Sequence, residues 1–379
     1  MVKTSHHRLM FVVNVDWFFL SHRLPIAVAA RDRGFDVIVA AADTGRSEEI
    51  RNQGLGFVPI ALSRSSKNPL KEILTLYHLR KLYSRFRPDL IHHVTLKPVI
   101  YGSIAARLCN NIPVVNAISG LGFAFTLHRR ARLMKFFVRR LFKLAFKHPS
   151  AKVIFQNPED QNEFINTGLV EPENAVLIRG SGVDLKKFAV SPEPEGVPIV
   201  VFPARLLTDK GLLEFIEAGR IIKCKGLKAR FVLVGDIDPG NPATAKEEEV
   251  RGWEKAGIIE WWGFRTDMEE VFKQSSIVVL PSYREGLPKA LLEAAAAGRP
   301  IVSTDVRGCR EIVKHNTNGL LVPPAEIEPL ADAVETLLMD SEKRQRFGAM
   351  GRELAEESFS VDVVVEKTLR LYSEMLGQK

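Results

Sequence analysis

Short apolar runs rich in β-branched residues recur along this chain with amphipathic stretches between them, and few folds accept that alternation. LMFVVNV (9–15), FDVIVAAA (35–42), DLIHHV (89–94), IPVVNAI (112–118) and KVIFQN (152–157) form one series. VPIVVFPARL (197–206), ARFVLVGD (229–236), IIEWWG (258–263), SIVVLPS (276–282) and PIVSTD (300–305) form a second. Strands that are apolar throughout are buried on both faces, as in parallel sheets with helices above and below. The expected class is α/β, with two doubly wound, Rossmann-like domains, since 379 residues are too many for one core. SPEPEGVP (191–198), rich in proline and glutamate, reads as the linker. The expected division is a first domain over 1–192, a second over 193–360 and a terminal helix within 361–379 that returns to the first. Two such domains facing each other would bind ligands in a cleft at the carboxyl ends of their strands.

Composition narrows the partners. The net charge of +8 and pI of about 9.3 favour anions: nucleotide phosphates, nucleic acid or an acidic membrane surface. Cys109, Cys224 and Cys309 lie far apart with no metal-ligand spacing, so free thiols in a reducing cytoplasm and no metal site are expected. The run LMFVVNVDWFFL is broken by Asn14 and Asp16, too short to span a membrane, and lacks a cleavage site. It reads as a buried first strand of a protein that is not secreted.

VVFPARLLTDKGLLEFIEA (200–218) is a strand, a loop with Arg205 and Lys210, and a helix opening near Gly211. Free N–H groups and the helix dipole attract anions at such a turn, and the two cations could clamp a diphosphate. A solvated basic loop would look the same. VLVGD ends a strand at Gly235, where the backbone must pass close to something. WWGFRTDM places Gly263, Phe264 and Arg265 at another strand end, where main-chain groups could read a base edge. Asp236 and Asp238 form a D-x-D, but PGNP follows, so a turn is expected there rather than a metal site.

REGLPKALLEAAAAG (284–298) contains two glutamates eight positions apart. Pro288 suits the first helical position and Gly298 the end, which predicts a helix over 288–297. Glu285 then lies in the loop outside that helix and Glu293 inside it, so they do not share a helical face. Both reach one ligand only if it spans loop and helix, and a nucleotide-sugar has that length. Its diphosphate would meet the helix N-terminus, its ribose diol Glu293 and its sugar hydroxyls Glu285, since carboxylates accept well from vicinal hydroxyls. The competing possibility for Glu293 is pairing with a lysine.

In order, PARLLTDKG, VLVGD, GFRTDM and EGLPKALLEAAAAGRPIVSTDVRG resemble the second half of the GT4 family of retaining glycosyltransferases, with Glu285 and Glu293 as its E-x7-E signature. VDWFFLSHRLPIAVAARDRGFDV, LSRSSKNP, HHVTLKPVIYGSIAA and SGLGFAF resemble a bacterial subgroup acting on polyprenyl-diphosphate-linked sugars, which includes N-acetylgalactosaminyltransferases. The resemblance implies the GT-B fold and a UDP-sugar donor used without a metal cofactor. Helix dipole and basic side chains would stabilise the leaving diphosphate. It implies that Arg205 and Lys210 hold the diphosphate and that Glu285 binds the transferred sugar with backbone near Gly286 and Leu287. Glu293 would bind the ribose and Gly263 to Arg265 the base, with Gly235 and Asp16 also on the donor side. Thr95 and Lys97, at a strand end, could meet the acceptor's phosphates. His22 is placed with the acceptor, together with Gly120 and Gly122. Two departures stand out. The bulky VDWFFLSHR replaces glycines that many relatives carry after the first strand. Ser119-Gly120-Leu121-Gly122 stands where many carry a catalytic histidine, for which His22, His92 or His93 could substitute, the alternative for each being a buried structural histidine.

LHRRARLMKFFVRRLFKLAFKH (127–148) is basic, with Leu133, Phe136, Phe137, Leu141, Leu144 and Ala145 recurring at helical spacing. Such a helix can lie on anionic lipid, which a lipid-linked acceptor would require; the alternative is an internal helix of the first domain with a solvated basic side, and part of its apolar face is expected to pack on the sheet in either case. The expectation is a cytoplasmic glycosyltransferase bound peripherally to the inner membrane face, with no nucleic-acid partner. Rivals are a nucleotide-sugar 2-epimerase of the same fold and a nucleic-acid-binding protein suggested by pI. A dinucleotide dehydrogenase is disfavoured because no G-x-G-x-x-G follows the first strand.

Overall fold

A computed structural model describes residues 7–62, 69–118 and 132–377. The chain divides into two units, residues 1–181 with 362–379, and residues 182–361.

The first unit is built on seven parallel strands: β1 Arg8–Val15, β2 Asp36–Ala42, β3 Gly56–Pro59, β4 Leu90–Val94, β5 Val114–Ala117, β6 Ala151–Phe155 and β7 Ala175–Leu177. Their order is β3-β2-β1-β4-β5-β6-β7. Alternate residues of β1 enter different cores, which is why the run is apolar throughout. Leu9, Phe11 and Val13 face α1 Asp16–His22, α2 Leu24–Asp32, α3 Ser47–Arg51 and the terminal helix Val361–Met375. Met10 and Val12 face the other layer. That layer holds α4 Pro69–Phe86, a π-helix Pro98–Gly102, α5 Ser103–Arg107, α6 Arg132–Phe146 and α7 Pro158–Asn166.

The second unit has six parallel strands: β8 Ile199–Pro203, β9 Arg230–Val234, β10 Glu260–Trp261, β11 Ile277–Leu280, β12 Ile301–Thr304 and β13 Gly319–Val322, ordered β10-β9-β8-β11-β12-β13. Helices α8 Leu212–Cys224, α9 Glu247–Lys255, α10 Met268–Lys273, α11 Lys289–Ala296, α12 Arg307–Ile312, α13 Ile327–Met339 and α14 Ser341–Ser358 surround one core. Strand order reverses beside β1 in one sheet and beside β8 in the other, so each unit has a switch point at the carboxyl ends of adjacent strands, the usual place for a ligand in such sheets.

The unit boundary falls before 191–198, not within it. Val183 N–H donates to the Phe359 carbonyl and Val361 N–H to the Val183 carbonyl, both at 2.9 Å. Arg352 bonds the carbonyls of Leu185 and Phe188, Arg299 bonds Ser191, and Arg344 bonds Glu193. Arg299 and Arg344 thus stitch the proline- and glutamate-rich segment onto the second unit, and Arg352 holds the residues just before it. The terminal helix belongs to the first unit, where Val364, Leu369, Leu371 and Tyr372 are buried in its core.

Candidate active site

Lys210 and Glu285 meet because two turns are pressed together. Strand β8 runs into a 3₁₀ turn, Thr208–Lys210, and Gly211 opens α8 with φ +78°. A Cβ at Gly211 would lie 2.2 Å from the Pro281 carbonyl oxygen, so only glycine lets this turn touch the end of β11. Across that contact Lys210 Nζ donates to Glu285 Oε1 at 2.5 Å, and Ser282 Oγ donates to the same oxygen at 2.8 Å. Tyr283 fastens the loop a second time, its N–H on the Asp209 carbonyl at 3.0 Å and its hydroxyl on Glu214 Oε1. Glu214 is buried in the first turn of α8, and its Oε2 has no partner. Burial, with the Glu214 bond and charge, pushes the Tyr283 phenol up to about 12. Ser282 and Tyr283 lie just before the 284–298 motif, and the partners of Tyr283, Asp209 and Glu214, are too distant in sequence for spacing to reveal them.

Helix α11 begins at Lys289, with Pro288 as its N-cap rather than its first residue. The Pro288 carbonyl accepts from Leu291 and Leu292, which closes the first turn one position later than proline preference suggests. Glu293 is buried and lies 3.4 Å from Lys289 Nζ, one turn back on the same helix. Burial raises its pKa above the ordinary carboxylate value, the Lys289 and Lys187 charges oppose this, and Glu269 adds to it. The lysine pairing that the sequence offered as the alternative for Glu293 is thus present within its own helix.

Arg205 does not join Lys210 as a preformed clamp. Its guanidinium bonds Asp238, and the two cations hold different carboxylates. Asp238 also starts the expected turn, its carbonyl accepting from Asn241 N–H at 2.8 Å. The close approach at Gly235 is to the chain itself, since a Cβ there would lie 2.0 Å from the Ala204 carbonyl oxygen. Gly235 N–H donates to the Gly263 carbonyl at 2.9 Å, tying the ends of β9 and β10. Gly263 has φ +69° with open space where a Cβ would be, and Phe264 is exposed. Arg265 forks onto Asp267, whose carboxyl that bond holds down to about 2. Leu287 is buried, and Gly308 of α12 packs so tightly on the Gly286 carbonyl that a Cβ would lie 2.4 Å away.

In the first unit the expected residues are held by contacts within the chain. Asp16 is buried and accepts from the N–H groups of Trp17, Thr44 and Arg46 and from the Thr44 hydroxyl, so its oxygens are committed to joining the loops after β1 and β2. His22 stacks on Phe18, with ring centroids 4.1 Å apart. His92 and His93 are buried structural histidines. His92 bonds the Tyr372 hydroxyl, while His93 bonds Tyr83 at 2.8 Å and Asn116 at 2.9 Å. Burial keeps both neutral, with His93 down to about 3. Lys97 Nζ pairs with Glu72 at 2.6 Å. Thr95 is unusual for a β-branched residue in having φ +74°, and its buried hydroxyl has no partner. Asn14 Oδ1, near the end of the adjacent strand β1, is likewise buried without a partner. Gly120 and Gly122 lie outside the described residues.

On α6 the expected apolar face is only partly the buried one. Phe142, Ala145 and Phe146 enter the core against Phe164, and Leu144 is exposed. Leu133, Phe136 and Phe137 lie outside the described side chains.

Residues 184–354 match the family described as glycosyl transferases group 1, and residues 8–157 that described as glycosyl transferase 4-like. Over 94% of its length the chain is 31% identical to the N,N'-diacetylbacillosaminyl-diphospho-undecaprenol alpha-1,3-N-acetylgalactosaminyltransferase of Campylobacter jejuni, covering 98% of that protein. The chain belongs to the GT4 family of glycosyltransferases. This glycosyltransferase is also 26% identical to the UDP-Gal:alpha-D-GlcNAc-diphosphoundecaprenol alpha-1,3-galactosyltransferase of Escherichia coli, over 91% of the chain and 90% of that enzyme. Its fold matches Anabaena Alr3699/HepE in complex with UDP at a TM-score of 0.77 and 20% identity, covering 97% of this chain and all of the other. WaaG, a glycosyltransferase involved in lipopolysaccharide biosynthesis, matches at a TM-score of 0.67 and 16% identity, over 96% and 99% of the two chains. The fold is GT-B, as the motifs imply.

Proposed function

We propose that this glycosyltransferase moves a sugar, an N-acetylhexosamine or hexose, from a UDP-sugar to a polyprenyl-diphosphate-linked saccharide with retention of anomeric configuration. The observation that carries the donor half is the Lys210–Glu285 contact at the turn into α8, with Glu293 set back on α11. The acceptor class rests on the Campylobacter relative, whose name specifies a diphospho-undecaprenol-linked substrate. Lys210 and the N–H groups at the start of α8 would meet the diphosphate as the glycosidic bond breaks and negative charge grows on the leaving oxygen. Arg205 would join by releasing Asp238. The acceptor hydroxyl oxygen forms the new bond, and its proton leaves with the UDP. Glu285 would orient the transferred sugar and Glu293 the ribose. The reaction needs no metal cofactor, because fixed cations and the helix terminus supply the positive charge. The lipid-linked acceptor places the enzyme peripherally on the inner face of a membrane. No helix among the described residues is long and apolar enough to cross one.

The test is incubation of the purified protein with a panel of UDP-sugars and a polyprenyl-diphosphate-linked saccharide, with products weighed by mass spectrometry. The expected result is one added sugar on the lipid-linked acceptor. Epimerised UDP-sugar formed without acceptor would favour the epimerase instead, and no transfer from any donor would sink the proposal.

A further inference from the structure

Among the described residues of the first unit, five large apolar side chains are exposed: Ile73 (65%), Leu74 (52%), Tyr77 (58%), Leu108 (54%) and Leu144 (46%). All five belong to one helix layer. Ile73, Leu74 and Tyr77 are on α4, Leu108 caps α5 and Leu144 is on α6, and these helices cover Met10, Val12, Ile91 and Val153 of the sheet. The opposite layer of α1, α2, α3 and the terminal helix exposes none among its described residues.

On α4, Ile73 and Tyr77 are one turn apart and Leu74 flanks them, so the three form a stripe on the outward arc that Arg80, Lys81 and Arg85 continue. Arg139, Arg140 and Lys143 are exposed on α6. Glu72, the acid on α4, is paired with Lys97. The surface is therefore apolar at its tip and positive around it. An apolar centre with a polar rim would also suit a protein partner, but the charge around this one, from Arg80, Lys81, Arg85, Arg139, Arg140 and Lys143, is of one sign, which matches a bilayer of acidic lipids.

We infer that the α4–α5–α6 layer docks on an anionic bilayer, with Ile73, Leu74 and Tyr77 of α4 as the inserted wedge. This rests on the lipid-linked acceptor proposed above and moves the apolar contact away from α6, where Phe142 and Phe146 are already used inside. Tyrosine suits the boundary because its ring is apolar and its hydroxyl stays wet. Helix α6 then contributes cations and Leu144.

The experiment is co-sedimentation with vesicles of phosphatidylethanolamine and phosphatidylglycerol, and with phosphatidylcholine vesicles for comparison. The combined variant Ile73→Ser, Leu74→Ser, Tyr77→Ser should partition at least about tenfold less into the acidic vesicles, since three half-exposed side chains lose their burial. Met339→Ser, at an exposed site on the second unit, should partition like the wild type. The triple variant should keep its melting temperature and its transfer to a water-soluble short-prenyl acceptor. Unchanged partition of the triple variant would overturn the inference, and a simultaneous fall in its mass by light scattering would mark the patch as a contact between copies of the chain instead. Transfer is read without vesicles, so absence of transfer by the wild type would defeat the reaction reading and leave the vesicle result standing.

Discussion

Lys210 and Glu285 neutralise each other at 2.5 Å, with 23% and 11% of their side chains exposed. A diphosphate binding at the turn into α8 must compete with Glu285 for that ammonium group. Exposed ion pairs are worth about 0.2–1 kcal/mol, and breaking a fully buried one costs about 3–5 kcal/mol. This pair is shielded but reaches solvent, so about 1–2 kcal/mol of Lys210's attraction is committed to Glu285. Glu285→Gln keeps an oxygen acceptor for Ser282 and removes the competing charge. UDP should then bind about 5- to 30-fold more tightly, while transfer collapses because the sugar has lost its carboxylate. Lys210→Met should weaken UDP about 30- to 100-fold, the loss of a charge-assisted bond to phosphate. Isothermal titration of UDP at one fixed ionic strength reads both variants, since salt screens the effect. A Glu285→Gln protein that binds UDP tenfold worse would refute the competition, and a Lys210→Met protein that binds like wild type would refute the diphosphate role.

Tyr283→Phe removes the described hydrogen bond to buried Glu214 and should cost about 1–3 kcal/mol, lowering the melting temperature by about 2–4 °C per kcal/mol. Calorimetry decides it, and an unchanged transition would show the bond to be dispensable. Thr95→Gly should leave the urea midpoint unchanged or slightly raised, because about 1–2 kcal/mol of left-handed strain offsets glycine's extra unfolded entropy of about 0.5–1 kcal/mol. A clear fall in the midpoint would mean that the methyl or hydroxyl supports the fold. For Asp16, burial pushes the carboxyl up, but bonds from Thr44, Arg46 and Trp17 outweigh it and hold the group below its ordinary 3.8. Its contribution is present above that value and is lost as pH falls through the lower folded value. Asp16→Asn should therefore melt earlier at neutral pH and show a flatter acid limb; parallel pH–stability curves would refute this.

What the chain reveals before folding follows from where its information is stored. The interior strands were legible because burial on both faces makes each an unbroken apolar run. The strands that escaped notice, β3, β7 and β13, lie at sheet edges, where one side needs no apolar run, and β3 even carries Gly56 and Pro59. The unit boundary escaped because Arg299 and Arg344 fix a segment whose composition looks like a free linker. On α6, a basic pattern with apolar residues on several sides leaves the buried stripe undecided until Phe164 selects Phe142 and Phe146.

The same distinction separates the two signature glutamates. Glu293's lysine is four residues away on the same helix, so KALLE already contained the pair. Glu285's lysine is 75 residues away, and only the contact of Gly211 with Pro281 brings it near. One carboxylate is thus balanced chiefly by a lysine of its own helix, with Lys187 adding to it, and the other by a lysine that the fold brings near. A ligand that enters must offer something to both halves of each pair. An anion alone would take Lys210 and leave Glu285 uncompensated, and a sugar alone would satisfy Glu285 while Lys210 stayed engaged. A nucleotide-sugar brings hydroxyls to the carboxylates and phosphates to the ammonium group together, which gives a physical reason for this pairing to favour the whole donor over its pieces.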